Sequence, residues 1–157
     1  MPGELTMARQ RRGNDCGPSA LATVAAHHGL TVGNDDILDA IALDRHGTDL
    51  LTISQAAERL GFWTQGIKGA YDVIPGFMLP AIAHVRRRLG GGHFVVIHRW
   101  TCSHVVLADP AVGIRKVSRR AFCRCWTGYL LAIMPAPAPP RYPERARHPG
   151  DHRTDFE

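Results

Sequence analysis

A cysteine near the start of the chain stands where a thiol can become a nucleophile. Cys16 lies in the segment ARQRRGNDCGPSALATVAAHHG, residues 8–29. The alanine-rich run after it predicts a helix over residues 17–28, with Pro18 in the first turn, where a missing N–H costs no hydrogen bond. Free N–H groups at a helix start lower the pKa of a thiol and can hold an oxyanion. Gly17 would leave room for a substrate backbone, but the position alone is more typical of a packed cysteine, so a base is needed.

One of the nine histidines is predicted to meet a carboxylate. The segment HFVVIHRWTCSHVVLAD, residues 93–109, predicts a β-hairpin whose turn is centred on Thr101 or Cys102. His93 then lies opposite Asp109 or its neighbour, and cross-strand Cβ atoms are about 4.5–5.5 Å apart, close enough for a hydrogen bond. A slip of one residue would break this pairing. With the pairing, Asp109 would fix the tautomer of His93, and His93 would take the thiol proton.

The other histidines are weaker candidates for the base. His84 is the second choice. His98 and His104 fall near the predicted turn and lack an opposing carboxylate. His27 and His28 end the first helix, where a cation favours the helix dipole, so that capping is the better interpretation for them.

Two further helices and six short strands are predicted around these residues. The helices are NDDILDAIAL, capped by Asn34 or Asp35, and LTISQAAERLGF, with Gly61 after its last turn. The strands are rich in β-branched and aromatic residues, and Gly, Pro and Arg clusters separate them: WTQGIK, LPAIAHV, HFVVIHRW, HVVLAD, IRKVS and YLLAIM. The segment RRAFCRCW adds one helical turn. Helices followed by antiparallel strands predict an α+β fold, with an N-terminal helical lobe packed on an antiparallel sheet.

The chain has 157 residues, 45% of them apolar, and this length and composition predict one folded domain. We expect a flexible N-terminus over residues 1–7, a folded domain over residues 8–136, and a Pro/Arg-rich disordered tail over residues 137–157. The chain has no run of 18 apolar residues and no apolar segment at its N-terminus, so we expect neither a membrane span nor a secretory signal. A cytoplasmic location follows, with the four cysteines as thiols.

The net charge of +5 belongs to the folded domain, because the predicted tail holds four arginines and four acidic residues. Short arginine clusters occur at residues 9–12 and 86–88. They predict a solvated basic face that could attract acidic peptides or anionic lipid. We expect no nucleic-acid binding, because aromatic residues do not alternate with the arginines.

The ordered set of Gln10, Cys16, His93 and Asp109, with Asp-Pro and a later Trp-Thr-Gly, resembles one family of peptidases. These are the bacteriocin-processing cysteine endopeptidases, papain-like double-glycine leader peptidases usually fused to peptide-exporting ABC transporters. The likeness covers about residues 8–136 and includes the segments DCGPSAL, LPAIAHV, HFVVI, VVLADPAVGIRKVS and FCRCWTGYLLAIMP.

The resemblance implies a role for each of the four residues. Cys16 would be the nucleophile, His93 the general base and acid, and Asp109 the residue that orients His93. Gln10 would donate its amide to the oxyanion together with the backbone N–H of Cys16. No cofactor or metal is implied.

The resemblance also implies a substrate. The family cleaves after Gly-Gly or Gly-Ala at the end of a helical leader in a bacteriocin-like precursor, where narrow walls exclude any Cβ. Relatives continue into a membrane domain and an ATPase, whereas this chain ends in a Pro-rich segment. We therefore expect a free-standing monomer in the cytoplasm that meets a separate ABC transporter at the cytosolic face of the inner membrane, if export is coupled.

Three alternatives stay open at this point. A zinc site at Cys102-x-His104 and Cys123-x-Cys125 would need one-residue spacings that structural zinc seldom uses. A non-catalytic module that docks the cargo of an exporter would usually have lost the cysteine or the histidine. Another papain-like hydrolase or transferase, acting on a different amide, would carry the same catalytic residues.

Overall fold

A computed structural model describes residues 5–11, 13–41, 48–76 and 78–137. Within these ranges the helices are α1 (Cys16–His27), α2 (Asn34–Ala40), α3 (Leu50–Arg59) and α4 (Arg119–Cys125), with a short 3-10 helix at Tyr71–Gly76. The strands are β1 (Phe62–Lys68), β2 (Ala81–Arg86), β3 (Gly92–Trp100), β4 (His104–Asp109), β5 (Gly113–Ser118) and β6 (Trp126–Pro135). They form one antiparallel sheet in the order β1-β6-β2-β3-β4-β5. The predicted α+β fold, with a helical lobe on an antiparallel sheet, is confirmed.

Helix α1 lies buried between the other helices and the sheet. Every residue from Cys16 to Ala25 is buried. The small alanine side chains let the helix approach the sheet closely, and Leu21 and Val24 fill the core against Phe94 and Val96 of β3. Each fully buried Leu or Val side chain stabilises the fold by about 1.5–3 kcal/mol. The alanine-rich run that predicted this helix therefore also fixes the position of Cys16 relative to the sheet.

The opposite face of the sheet is covered by α4 and the 3-10 helix. Phe122 of α4 is fully buried there, and its ring stacks on Trp126 with centroids 5.3 Å apart. Tyr71 and Ile97 belong to the same core. Since β2 and β3 are thus buried on both faces, the run HFVVI has no alternation of polar and apolar residues.

The observed elements differ from the predicted ones at three places. The N-cap of α2 is Gly33, with extended backbone and no side-chain cap, rather than Asn34 or Asp35. The predicted second helix ends at Ala40, and residues 42–43 of it lie outside the described residues. The 3-10 helix was not predicted, because Pro75 interrupts any helical period in that segment.

The predicted domain limits meet the structure only in part. Leu5 is 5% exposed and belongs to the core around α1, so packing begins before residue 8. An apolar side chain buried against α1 is the reason that the predicted flexible N-terminus is too long. Residues 1–4 and 138–157 lie outside the described residues. In the part that is described, no helix is both long and apolar enough to cross a bilayer.

Candidate active site

Cys16 is the first residue of α1 and is 8% exposed. Asp15 precedes it at the N-cap, and its Oδ2 accepts the backbone N–H of Arg11 at 2.9 Å, which closes the loop before the helix. The first N–H groups of an α-helix have no acceptor within the helix. The thiol and the N–H groups of Cys16 and Gly17 therefore lie together at the positive end of α1.

Gly17 serves packing rather than substrate approach. A Cβ on this residue would collide with Cγ2 of Thr48 and would lie 3.1 Å from Cδ1 of Ile53. The expectation that Gly17 leaves room for a substrate backbone is wrong, because side chains of the adjoining α3 region fill that space.

His93 and Asp109 are both buried, and Nε2 of the ring lies 2.7 Å from Oδ1 of the carboxylate. The two residues are not directly opposed. Strands β3 and β4 pair Val96 with Ala108, a register that sets Asp109 level with Val95. The prediction that His93 lies directly opposite Asp109 is therefore wrong, because the residue opposite Asp109 is two positions further along β3. The two side chains meet diagonally across the strands, over a distance that long side chains can span.

Asp109 is held by three donors. Besides the ring of His93, the backbone N–H of Ala111 donates to Oδ1 at 3.0 Å and Arg115 donates to Oδ2 at 3.3 Å. Burial raises the pKa of this carboxyl group, but these hydrogen bonds and the positive charges of His93 and Arg115 lower it below its ordinary value. The carboxylate is therefore ionised at neutral pH.

The pKa values of Cys16 and His93 move towards each other. Burial raises the pKa of the thiol, but hydrogen bonds with His93 and the backbone of Phe94 outweigh it, so that the pKa lies below 9.0. Burial lowers the pKa of His93, but hydrogen bonds with Asp109 and Cys16 raise it to about 8. These directions favour a thiolate beside an imidazolium, the reactive form of a cysteine nucleophile.

Arg87 makes a further contact that opposes this ion pair. Its Nη2 lies 2.9 Å from Nδ1 of His93, the ring nitrogen that Asp109 does not hold. A guanidinium only donates hydrogen bonds, so Nδ1 must accept here and the ring proton sits on Nε2. Arg87 therefore shares Nδ1 with Cys16 and disfavours transfer of the thiol proton to this nitrogen.

Gln10 lies beside the turn that follows Asp109. Its backbone N–H donates to the carbonyl of Pro110 at 3.1 Å, and the N–H of Ala8 donates to Oγ1 of Thr23 at 3.0 Å. Within the described ranges, Oε1 of Gln10 is buried without a hydrogen-bond partner. These contacts place the residue near the site, while its role as an oxyanion donor stays a prediction.

The other candidate histidines are engaged elsewhere. Nδ1 of His84 lies 3.0 Å from Oγ1 of Thr127. Nε2 of His28 lies 2.9 Å from the carbonyl of Ile133, which ties the end of α1 to β6, and burial lowers the pKa of this ring. His28 thus acts through a bond to the sheet and not as a cation on the helix dipole.

A cavity of about 400 Å³ lies beside the thiol on the helical face of the sheet. Its wall is mainly apolar and includes Thr48, Leu51, His84, Phe94 and Tyr129. It adjoins Cys16, because the backbone of Phe94 bonds the thiol and Thr48 packs against the next residue of α1. This apolar cavity can take apolar groups of a ligand close to the thiol.

Two charged residues of the site were not predicted from the sequence. Arg115 bonds Asp109 from β5, where it is diagonal to the pair Asp109–Gly113. A prediction of the register between β4 and β5 would have indicated this contact between Arg115 and Asp109. Arg87 contacts His93 from the β2–β3 turn, and no sequence signal points to that contact.

The alternative zinc site is not assembled in the described part of the chain. No three His, Cys, Asp or Glu side chains there converge on a point that could hold a metal ion. Cys102 and Cys123 are exposed free thiols, and Cys125 is a half-buried one.

A thiol at the start of a buried helix, beside a histidine and an aspartate on an antiparallel sheet, defines the class of papain-like cysteine peptidases. Within that class, the chain belongs to the Peptidase C39 family, whose model matches residues 4–138. The resemblance to the bacteriocin-processing cysteine endopeptidases, predicted from the sequence motifs, is thereby confirmed.

Relatives and solved structures agree with this assignment. The lactococcin G processing and transport ATP-binding protein LagD of Lactococcus lactis is 29% identical over 131 residues, 80% of this chain. The chain spans 18% of the length of that relative. The peptidase domain of Streptococcus ComA, a bi-functional ABC transporter of a quorum-sensing pathway, matches 84% of this chain and 99% of its own length, with a TM-score of 0.80 and 28% identity. A double glycine motif protease from an AMS/PCAT transporter, solved with its leader peptide, matches 85% of this chain and 93% of its own length, with a TM-score of 0.77 and 25% identity.

Proposed function

We propose that this chain is an endopeptidase that removes the leader of a bacteriocin-like or other ribosomal precursor peptide by cleaving after Gly-Gly or Gly-Ala. The observation that carries the proposal is the 2.7 Å bond between His93 and Asp109, formed beside a thiol whose pKa is lowered. The peptidase structures that this chain resembles include one in complex with a leader peptide.

The first chemical step is proton transfer within the site. His93 takes the proton of Cys16 at Nδ1, while Asp109 holds Nε2 and balances the charge of the imidazolium. The thiolate attacks the carbonyl carbon of the second glycine, and the imidazolium then protonates the departing amine. The leader remains as a thioester on Cys16, and a water molecule activated by His93 releases it.

The developing oxyanion needs donors near the sulfur. The backbone N–H of Cys16 lies at the open end of α1 and supplies one of them. The side-chain amide of Gln10 would supply the second, from a segment anchored at Pro110. A pair of such donors is worth more in a buried site than in water, because they are already oriented when the charge forms.

The apolar cavity would bind the leader. It opens next to Cys16, and its wall offers Leu51, Phe94 and Tyr129 to apolar side chains of a helical leader. Some of this wall is solvent-exposed, since Leu51 is 65% and Tyr129 is 42% exposed. Covering these side chains with the leader would remove apolar surface from water and stabilise the complex.

The relatives also suggest where the reaction takes place. LagD and ComA are transport proteins that carry the peptidase as one part. We propose that this chain acts as a monomer in the cytoplasm and passes its product to an ABC transporter at the cytosolic face of the inner membrane. The steps above use side chains of the chain itself and need reducing conditions, because an oxidised thiol cannot attack.

A precursor peptide with a Gly-Gly leader tests the proposal directly. We expect fragments whose masses place the cut after the second glycine, and no fragments with Cys16→Ala, which should still bind the leader. Cys102→Ala removes an exposed thiol as a matched control and should cleave normally. Binding without cleavage by the unaltered chain would instead indicate a docking module. Equal cleavage after replacement of Gly-Gly by Val-Val would indicate a different amide substrate.

A further inference from the structure

A second cavity lies beside His93 and is lined by arginines. It measures about 590 Å³ and is formed by Arg86, Arg87, Arg88, Arg124 and Cys125. Cys125 packs against the core under α4, whereas Phe94 of the apolar cavity packs against α1. The two cavities share no lining residue, and both adjoin His93, one through Arg87, which contacts its ring, and the other through its neighbour Phe94.

The charge of the arginine cavity is not balanced within the described part of the chain. No carboxylate there lies within ion-pair distance of its four guanidinium groups, whereas Arg115 and Arg119 do pair with Asp109 and Asp72. Like charges that share a cavity repel one another, and an anion between them relieves that repulsion. Guanidinium groups bind carboxylates through two parallel hydrogen bonds.

The arginine cavity is connected to the catalytic site through Arg87. This guanidinium donates to Nδ1 of His93 at 2.9 Å, the atom that receives the thiol proton in the proposed reaction. A carboxylate is a stronger partner for arginine than a neutral ring nitrogen. An anion in the cavity would therefore draw Arg87 off the ring and leave Nδ1 to Cys16 alone.

We propose that the arginine cavity binds an acidic side chain of the precursor, located C-terminal to the scissile bond, and that this binding withdraws Arg87 from His93. The inference rests on the proposed function, in which the leader occupies the apolar cavity and leaves the arginine cavity to the rest of the precursor. Specificity would then have two parts, a leader with apolar side chains and an acidic segment just after the cut.

Two precursor peptides test the site. They share one Gly-Gly leader and differ in two glutamates or two glutamines among the first residues after the cut. A hydrogen bond between two charged groups is stronger than one to a neutral amide, although solvent screens part of it, so we expect kcat/KM to be about tenfold higher for the glutamate peptide. The preference should vanish in the double variant Arg88→Gln/Arg124→Gln and persist in Arg120→Gln, an exposed arginine of α4 outside the cavity. Equal rates on both peptides would overturn the inference and leave the proposed function intact.

A binding measurement keeps the inference testable if neither peptide is cleaved, an outcome that would count against the proposed function alone. Fluorescence anisotropy with Cys16→Ala should show tighter binding of the glutamate peptide, and the double variant should remove the difference. Nitrogen NMR of histidine-labelled Cys16→Ala reports on Arg87: the Nδ1 resonance of His93 should move on addition of the glutamate peptide only. Identical binding and identical spectra with both peptides would overturn the inference.

Discussion

Around His93, four side chains divide between promoting and opposing proton transfer. Asp109 and Cys16 raise the pKa of the ring to about 8, whereas Arg87 holds Nδ1 as an acceptor. Arg115 adds a second positive charge at Asp109 and keeps the carboxylate in place. The contact with Arg87 therefore opposes the thiolate–imidazolium pair that Asp109 and Cys16 favour.

The lowered pKa of Cys16 predicts its alkylation by iodoacetamide near neutral pH. The folded-state pKa lies below 9.0, so the thiolate fraction at pH 7 exceeds that of an ordinary cysteine. Asp109→Asn removes the charge that favours imidazolium, and the alkylation rate of Cys16 at pH 7 should fall about tenfold or more, which corresponds to one pKa unit. Mass spectrometry of the labelled peptide measures the rate. Identical pH profiles for the two proteins would contradict an activated thiol.

Cleavage and alkylation should separate in alkaline solution. Above about pH 8, His93 loses the proton that it must give to the leaving amine, so that kcat/KM falls. The thiolate persists there, and alkylation should stay on its plateau. The control Cys102→Ala removes an exposed thiol and should alter neither curve.

Among the elements, the N-terminal segment of residues 5–11 carries Gln10, the predicted side-chain donor to the oxyanion. Its anchors are the buried side chain of Leu5 and the backbone N–H groups of Ala8 and Gln10, which bond Thr23 and Pro110. None of these anchors uses the side chain of Gln10. The segment therefore presents that amide without depending on it for its own position.

Gln10→Ala should consequently lower turnover without unfolding the protein. Loss of one oxyanion donor costs about a hundredfold in kcat, while the backbone anchors of the segment remain. The rate on a Gly-Gly precursor and a thermal unfolding curve measure the two effects. Arg11→Ala, an exposed neighbour in the same segment, should leave both unchanged. Normal turnover in Gln10→Ala would remove this residue from the oxyanion hole.

Local signals predicted the elements better than the contacts between them. The alanine-rich run of α1 and the β-branched strands follow from composition and period, which act over a few residues. The β3–β4 register could not be fixed in this way, because an irregularity between Ile97 and Arg99 shifts the pairing by one residue. The position of Arg87 depends on the path of the β2–β3 turn near His93. Neither the hydrophobic period nor the secondary-structure propensity of the residues predicts that path.

At the scale of the whole molecule, two chemically different cavities lie beside the site. The apolar cavity includes Phe94, the neighbour of His93, and the arginine cavity includes Arg87, which contacts the ring of His93. The site therefore adjoins both cavities. A substrate that crosses the site would contact apolar groups before the scissile bond and cations after it.

The apolar cavity can be tested apart from the chemistry with Leu51→Asp. Leu51 is 65% exposed on the cavity wall, so the substitution should not disturb the core. A carboxylate there would repel an apolar leader at a cost of about 1.4 kcal/mol, and KM for the Gly-Gly precursor should rise about tenfold with little change in kcat. Steady-state cleavage measures both constants, and the alkylation rate of Cys16 should be unchanged.

Met78→Asp supplies the matched control for this prediction. Met78 is 57% exposed, comparable to Leu51, and does not line the apolar cavity. It adds the same charge to the molecule, so any general electrostatic effect on a charged precursor should appear in both variants. A rise in KM that is confined to Leu51→Asp therefore places the leader in the cavity. An equal rise in both variants, or none in either, would show that the leader binds elsewhere on the helical face.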